Sequence, residues 1–463
     1  GNMRNMMAFL ETLTDDAARD LAWTVPASVP SGLPLTEEAP PAIGAAEGTV
    51  SFANLADRAA SGLSEYRRVP SERNAVQTAL HAASLIEPQP FPVAFEAPLR
   101  PRGTPGLAIF DFDGDGDEDI FATNGPGEPN SLMVNQLAQC GQTRFEDGAE
   151  ATNTDSTGVC YGDIDNDGDA DMFVVAHEGA SHFFRNNGDG TFEDISVASG
   201  AATDGIGGTS CAFGDIDNDG LLDLAVVRAW DLNDSHACFT DPFSADIQHN
   251  ELFHNEGGGV FTDVSDVSGF RNLGGLPPFA TGAATITWAV SFVDFDLDGD
   301  IDIFTADDQC ALPTAEIVFP DGSTGLDRGF LQIFENDGTG NFTNRTVQAG
   351  TNIASAWMGL SFGDFNSDGH LDVFSPSFGD WGKLFAGAPA VLGGETSRWL
   401  FGAPGGTFTD PGVGDLRHMP FGWGTSARDF DNDGDTDITF HGGMDLYFHV
   451  DRSNPGSMLL NDG

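Results

Sequence analysis

The sequence predicts an all-β fold, a β-propeller of repeated four-stranded blades. Three observations predict it. A nine-residue acidic segment occurs six times, short apolar β-type runs flank each copy, and a second element carrying Asn, Gly and Phe lies between the copies. The acidic segments are Asp111–Asp119 (DFDGDGDED), Asp163–Asp171 (DIDNDGDAD), Asp215–Asp223 (DIDNDGLLD), Asp294–Asp302 (DFDLDGDID), Asp364–Asp372 (DFNSDGHLD) and Asp429–Asp437 (DFDNDGDTD). Their first residues are 52, 52, 79, 70 and 65 apart. The second element reads apolar–Asn–turn–Gly–x–Phe–x–Asp, as in Phe183–Asp194 and Leu252–Asp263, with diverged copies at Phe145, Phe342 and Phe408. Each repeat therefore offers two hairpins, four strands in all, which is the content of a propeller blade.

In chain order, residues 1–25 form an N-terminal helix and tail, with Met3, Met6, Met7, Leu10 and Leu13 at helical spacing before Thr14-Asp15-Asp16 ends the run. Residues 26–90 read as a Pro-rich linker with two short helices at 50–66 (Phe52, Leu55, Leu63) and 71–86 (Val76, Leu80, Leu85). The propeller occupies 91–463. Its sixth repeat stops before a Gly-x-Phe-x-Asp strand, and Phe91–Glu96 is an apolar run without a partner in its own repeat. That run is expected to complete the last blade and leave no open edge. Six blades follow, or seven if the natural chain continues past Gly463.

The acidic segments read D-x-D/N-x-D-G-x-x-D. Oxygen ligands at alternating positions suit a hard cation, and the number of carboxylates favours calcium over magnesium. The expected side-chain ligands are Asp111, Asp113, Asp115 and Asp119; Asp163, Asp165, Asp167 and Asp171; Asp215, Asp217, Asp219 and Asp223; Asp294, Asp296, Asp298 and Asp302; Asp364, Asn366, Asp368 and Asp372; and Asp429, Asp431, Asp433 and Asp437. Position 7 adds a backbone carbonyl, from Asp117, Asp169, Leu221, Asp300, His370 or Asp435, which explains its tolerance of side chain. Gly at position 6 permits a turn with positive φ. An EF-hand is excluded, because position 12 is Ala122, Val174, Val226, Thr305, Ser375 or Phe440 and the flanks read as strands. Plain polar turns need only one or two Asp, Asn or Gly, so they do not account for six copies. The fifth loop, with Asn366 and three carboxylates, is expected to bind most weakly.

On these loops and the Asn–Gly–x–Phe–x–Asp elements, residues 106–463 resemble the FG-GAP/VCBS repeat family, calcium-binding propeller repeats also seen in integrin α-subunit heads. The resemblance implies one calcium per loop, about six structural ions, held by the residues named above. The literal Phe-Gly…Gly-Ala-Pro motif survives only as Phe401-Gly402-Ala403-Pro404. A second likeness joins Met6–Asp15 and Val29–Pro34 to the C-terminal tail of bacterial di-haem cytochrome c peroxidases. It implies a redox partner or a longer fusion; no haem is expected on this chain, since no CxxCH occurs.

The 463 residues carry 72 acidic and 19 basic side chains, a formal charge of −53. That charge argues against nucleic acid and anionic lipid as partners. No run approaches the roughly 18 apolar residues of a membrane span. The loops hold 28 of the acidic residues, and six divalent ions would bring the charge to −41. The remainder suits an extracellular, cell-surface or periplasmic bacterial protein. The amino terminus shows no secretory signal, so the signal was removed or the chain begins inside a longer protein. Among the five cysteines, Cys238 and Cys310 lie in loop-like stretches and are a candidate pair.

Trp288, Trp357 and Trp423 each precede a loop by six or seven residues, which favours packing on inner strands. The insertion Trp230–Asn250 holds Trp230, His236, Cys238, Phe239, Phe243 and His249, and Asp380-Trp381 with Arg398-Trp399 forms a second aromatic patch. The insertion reads first as a loop packed on itself; the alternative is that its aromatics, like those of the second patch, stack on a sugar or anchor a protein. His177, His182, His254, His418, His441 and His449 are scattered without a metalloenzyme spacing, and Asn341-Phe342-Thr343 and Asn344-Arg345-Thr346 match the glycosylation sequon. The expected function is a secreted, calcium-stabilised module binding protein or glycan; the alternative is a propeller lyase or dehydratase, or an accessory domain of a redox fusion.

Overall fold

The computed structural model describes residues 106–125, 129–141, 145–147, 155–229, 249–271, 285–308, 317–318, 324–325, 329–377, 397–412, 422–442 and 457–461. The expected N-terminal helix, the 26–90 linker, the strand Phe91–Glu96, most of the Trp230–Asn250 insertion, Asp380-Trp381, Cys238 and Cys310 lie outside them. Among the described residues, no helix is long and apolar enough to cross a membrane.

The chain forms a six-bladed β-propeller of antiparallel meanders. Blade 1 consists of Leu107–Phe110, Asp119–Ala122, Ser131–Asn135 and Phe145–Asp147. Blade 2 consists of Asp155–Gly162, Asp171–Ala180, His182–Asn186 and Phe192–Asp194, with Asp204–Ile206 added beside its second strand. Blade 3 is Gly208–Gly214, Asp223–Arg228, Glu251–Asn255 and Phe261–Asp263. Blade 4 is Ile286–Val293, Asp302–Asp308, Leu331–Asn336 and Phe342–Asn344. A two-stranded ribbon, Ile317–Val318 with Thr324–Gly325, lies between its second and third strands. Blade 5 is Ser361–Gly363, Asp372–Ser375, Arg398–Ala403 and Thr407–Thr409. Blade 6 shows three described strands, Gly424–Arg428, Asp437–His441 and Ser457–Leu459.

The second strand of each blade explains the unbroken apolar runs that follow the acidic loops. A strand alternates its side chains between two faces, so a strand sandwiched between neighbouring blades must be apolar on both. Met172 and Val174 pack with Phe110 and Phe121 of blade 1, whereas Phe173 and Val175 pack with Leu224 and Phe253 of blade 3. In blade 3, Leu224 and Val226 turn back to blade 2 while Ala225 and Val227 face Ile303 and Phe334 of blade 4. Val373 joins the seam of blades 4 and 5, and Phe374 that of blades 5 and 6. The core is thus a series of interblade seams, each rich in Phe, whose full burial is worth roughly 1.5–3 kcal/mol apiece. The tryptophans behave as expected of packing residues. Trp357 is fully buried among Phe304, Leu331 and Val373, and Trp288 meets Trp423 edge to face at 4.8 Å.

First strands of neighbouring blades pack together at the hub. There Thr157 Oγ1 donates to Gly208 O at 2.8 Å and Thr209 Oγ1 to Thr287 O at 2.7 Å, each crossing to the next blade. A disulfide, Cys160–Cys211, joins the first strands of blades 2 and 3 across a separation of 51 residues. The sequence did not single out this pair, although its spacing is one residue short of the 52-residue step between the second and third loops.

Candidate metal centres

Each acidic loop connects the first and second strands of its blade. The residue before position 1 pairs with position 9 in all six: Phe110 with Asp119, Gly162 with Asp171, Gly214 with Asp223, Val293 with Asp302, Gly363 with Asp372 and Arg428 with Asp437. The position 1 carboxylate organises the turn. In blade 2, Asp163 Oδ1 accepts from Asp167 N–H at 3.1 Å and Oδ2 from Gly168 N–H at 3.0 Å. The same pair of bonds recurs at Asp111, Asp215, Asp294, Asp364 and Asp429. Position 6 glycines have φ from 84° to 102°, as the sequence predicts. Position 4 is also left-handed, at Gly114, Asn166, Asn218, Leu297, Ser367 and Asn432, which pattern reading missed. Asn166 Nδ2 reaches Gly220 O at 2.9 Å and Asn218 Nδ2 reaches Asp300 Oδ1 at 2.9 Å, so successive loops are linked.

The position 9 aspartate ties loop to blade. Asp171 Oδ2 accepts from Ile164 N–H at 3.0 Å, and Oδ1 accepts from Asn186 N–H, at the end of the third strand, at 2.8 Å. Asp119, Asp223, Asp302, Asp372 and Asp437 accept the equivalent pair. The asparagine then reaches further. Asn255 Nδ2 donates to Leu222 O in its own loop at 3.0 Å and to Ile164 O, in the loop of the preceding blade, at 2.9 Å. Asn186, Asn336 and Asn461 do the same. Blade 5 has Gly402 in this place, where a Cβ would lie 2.2 Å from Leu371 O. The sequence showed the recurrent Asn only as a turn residue.

In four of the loops three carboxylates come together. One ligand atom from each of Asp111, Asp113 and Asp115 lies within 4.8 Å of the others, and likewise for Asp163, Asp165 and Asp171, for Asp215, Asp217 and Asp223, and for Asp294, Asp296 and Asp302. Burial pushes Asp119 and Asp302 up to about 7 and Asp171 and Asp223 to about 6, against the backbone N–H donors that favour the anion. Burial first, then repulsion from neighbouring carboxylates, also raises Asp113, Asp165 and Asp296 at position 3. At that position Asp113, Asp165, Asp296 and Asp431 each keep a buried Oδ1 with no hydrogen-bond partner. A buried, unsatisfied carboxylate oxygen beside other carboxylates is costly unless a cation meets it. The donor set, all oxygen, fits calcium.

The loops are not identical. The residue before the latch asparagine varies: Val134, Arg185, His254, Glu335, Phe401 before Gly402, and Leu460. Arg185 lies near enough to Asp165 to favour its charge, whereas Glu335 opposes that of Asp296. His254 Nε2 stands 2.9 Å from Asp217 Oδ2. In the fifth loop, Asn366 Oδ1 accepts from Asp368 N–H at 3.1 Å.

Three stretches, residues 111–174, 163–226 and 316–375, match the FG-GAP-like repeat family. No curated protein matches the chain. Among solved structures, it is similar to an Agrocybe aegerita lectin that recognises non-reducing terminal N-acetylglucosamine, at 17% identity and TM-score 0.39, over 78% of this chain and 81% of that one. It is similar to the V. cholerae biofilm matrix protein Bap1 at 10% identity and TM-score 0.33, over 77% and 69% of the two chains. An exotype rhamnogalacturonan lyase, YesX, is similar at 12% identity and TM-score 0.37, over 77% and 56%. These likenesses are too distant to carry a functional argument.

Proposed function

Given that this chain is a propeller of FG-GAP repeats, we propose that it is a calcium-stabilised interaction module whose ions are structural and whose ligand is a protein or a glycan. In each loop the side chains at positions 1, 3, 5 and 9 would hold the ion, joined by the position 7 carbonyls of Asp117, Asp169, Leu221, Asp300, His370 and Asp435. Calcium supplies positive charge where burial and mutual repulsion disfavour the carboxylate anions.

One observation carries the structural role. The position 9 carboxylate anchors the third strand of its blade, and the asparagine on that strand grips the loop of the preceding blade. Ion binding and blade docking therefore share one hydrogen-bond network, so binding energy becomes folding energy. The disulfide supports an oxidising, extracellular or periplasmic setting. A rigid ring leaves its connecting loops to recognition.

The metal role is tested by melting the chain in calcium and in EGTA. A drop of tens of degrees is expected, and superimposed curves would overturn it. The recognition role is tested on a glycan array and by capture of proteins from the chain's own extracellular medium. Saturable binding to one defined glycan or protein is expected; no saturable binding to either overturns the reading.

A further inference from the structure

The geometry points to a distinct metal site in blade 3, built from Asp217, Asp219 and His254 and selective for a borderline divalent transition metal of the zinc class. This inference rests on the proposal that the loops hold cations, and changes the identity of one of them.

A ligand atom from each of these three residues lies within 4.8 Å of the others. His254 sits on the third strand, Glu251–Asn255, one residue before the latch asparagine. Its Nε2 approaches Asp217 Oδ2 at 2.9 Å, on the position 3 carboxylate. Four of the other loops leave a position 3 oxygen unpartnered there. On the far side of the ring, Glu256 Oε1 stands 3.6 Å from Nδ1. That separation is longer than a hydrogen bond, but it places negative charge beside Nδ1. A proton on Nε2 bridges to Asp217 Oδ2; an ion bound between Nε2 and the two aspartates would take that proton's place, leaving the ring's remaining proton on Nδ1 toward Glu256. A carboxylate behind a ligating imidazole is the usual outer support of a histidine–metal bond.

The chemistry separates this loop from its relatives. Calcium takes oxygen ligands and gains little from imidazole, whereas zinc and its neighbours prefer nitrogen with a few carboxylate oxygens. The equivalent residues in the other blades are Val134, Arg185, Glu335, Phe401 and Leu460, and none offers a neutral ring nitrogen. Asp217, Asp219 and His254 make three protein ligands, the number at which a zinc-class ion keeps room for water.

The test loads the full chain with zinc in a large excess of calcium and counts both metals after gel filtration. One zinc per chain is expected to remain, with calcium in the other loops. His254→Ala should lose that zinc while the other loops keep their calcium. His254→Gln, which retains a donor toward Asp217, should lose it as well. Glu256→Gln should weaken zinc about 10- to 100-fold. Cobalt(II) in place of zinc should give visible absorption that disappears in His254→Ala. Zinc absent from the wild type, or held equally well by His254→Ala, overturns the inference. A chain that retains His254-dependent zinc but no calcium would instead overturn the calcium proposal alone.

Discussion

Leu297 occupies position 4 of its loop at φ 62°, where three of the other loops place Asn and one places Gly. A left-handed conformation costs an ordinary L-residue roughly 1–2 kcal/mol, and Asn tolerates it better. Leu297 is also 56% exposed, so its removal forfeits little burial. Leu297→Asn should raise stability by about 1 kcal/mol, seen as a higher urea midpoint with an unchanged slope. Asn255 is the opposite case. It is fully buried, and its amide serves two carbonyls in different blades. Asn255→Ala leaves both acceptors short of a donor and should cost about 2–4 kcal/mol, measured by the same denaturation. Pattern reading found the Asn but not its reach, because a bond spanning 91 residues leaves no local spacing to detect.

At the scale of elements, the loops were the most legible feature. Their candidate ligand positions were read from residue type, and hydrogen bonds at positions 1, 5, 6 and 9 repeat in all six. The four-residue helices Ser196–Ser199 and Thr346–Ala349, which follow outer strands, were not foreseen. They are too short to show a helical period. Their local sign is an Asp or Asn two residues before a Ser or Thr, as where Asp194 Oδ1 accepts from Ser196 N–H at 2.9 Å. The fifth loop, with Asn366 at position 3, should fill last in a calcium titration, and Asn366→Asp should move it among the tighter sites by calorimetry. The disulfide closes a span of 51 residues. Cys160→Ser should therefore lower stability by about 2–4 kcal/mol relative to the oxidised chain, from loop-closure entropy in the unfolded state.

For the whole molecule, the carboxylates set an unusual dependence on pH. Asp119 and Asp302 lie at about 7 and Asp171 and Asp223 at about 6 when folded, above their ordinary value of 3.8. A raised folded value means that the native state binds the proton more tightly than the unfolded chain. Their contribution is therefore present below about pH 4 and is lost as pH rises toward 7. The chain in EGTA should melt progressively lower between pH 4.5 and 7.5. Saturating calcium, which needs the deprotonated carboxylates, should reverse that slope. Parallel slopes in the two buffers would contradict the shared role of these groups. Blade number was legible because each loop marks one blade, and the apolar runs after the loops foretold strands buried on both faces. Neither the disulfide nor the placement of His254 over the third loop was legible, since both depend on how neighbouring strands align.

The covalent link between blades 2 and 3 also has a mechanical meaning. A module tethered by its ends and pulled would unzip blade by blade, because each seam is held by its neighbours alone. The Cys160–Cys211 bond removes 51 residues from that extension, roughly 170 Å of contour at about 3.4 Å per residue. Under load, the hub edge of blades 2 and 3 becomes a stop: blades outside it can peel away, while that pair of inner strands stays joined as a stub from which the ring can reassemble.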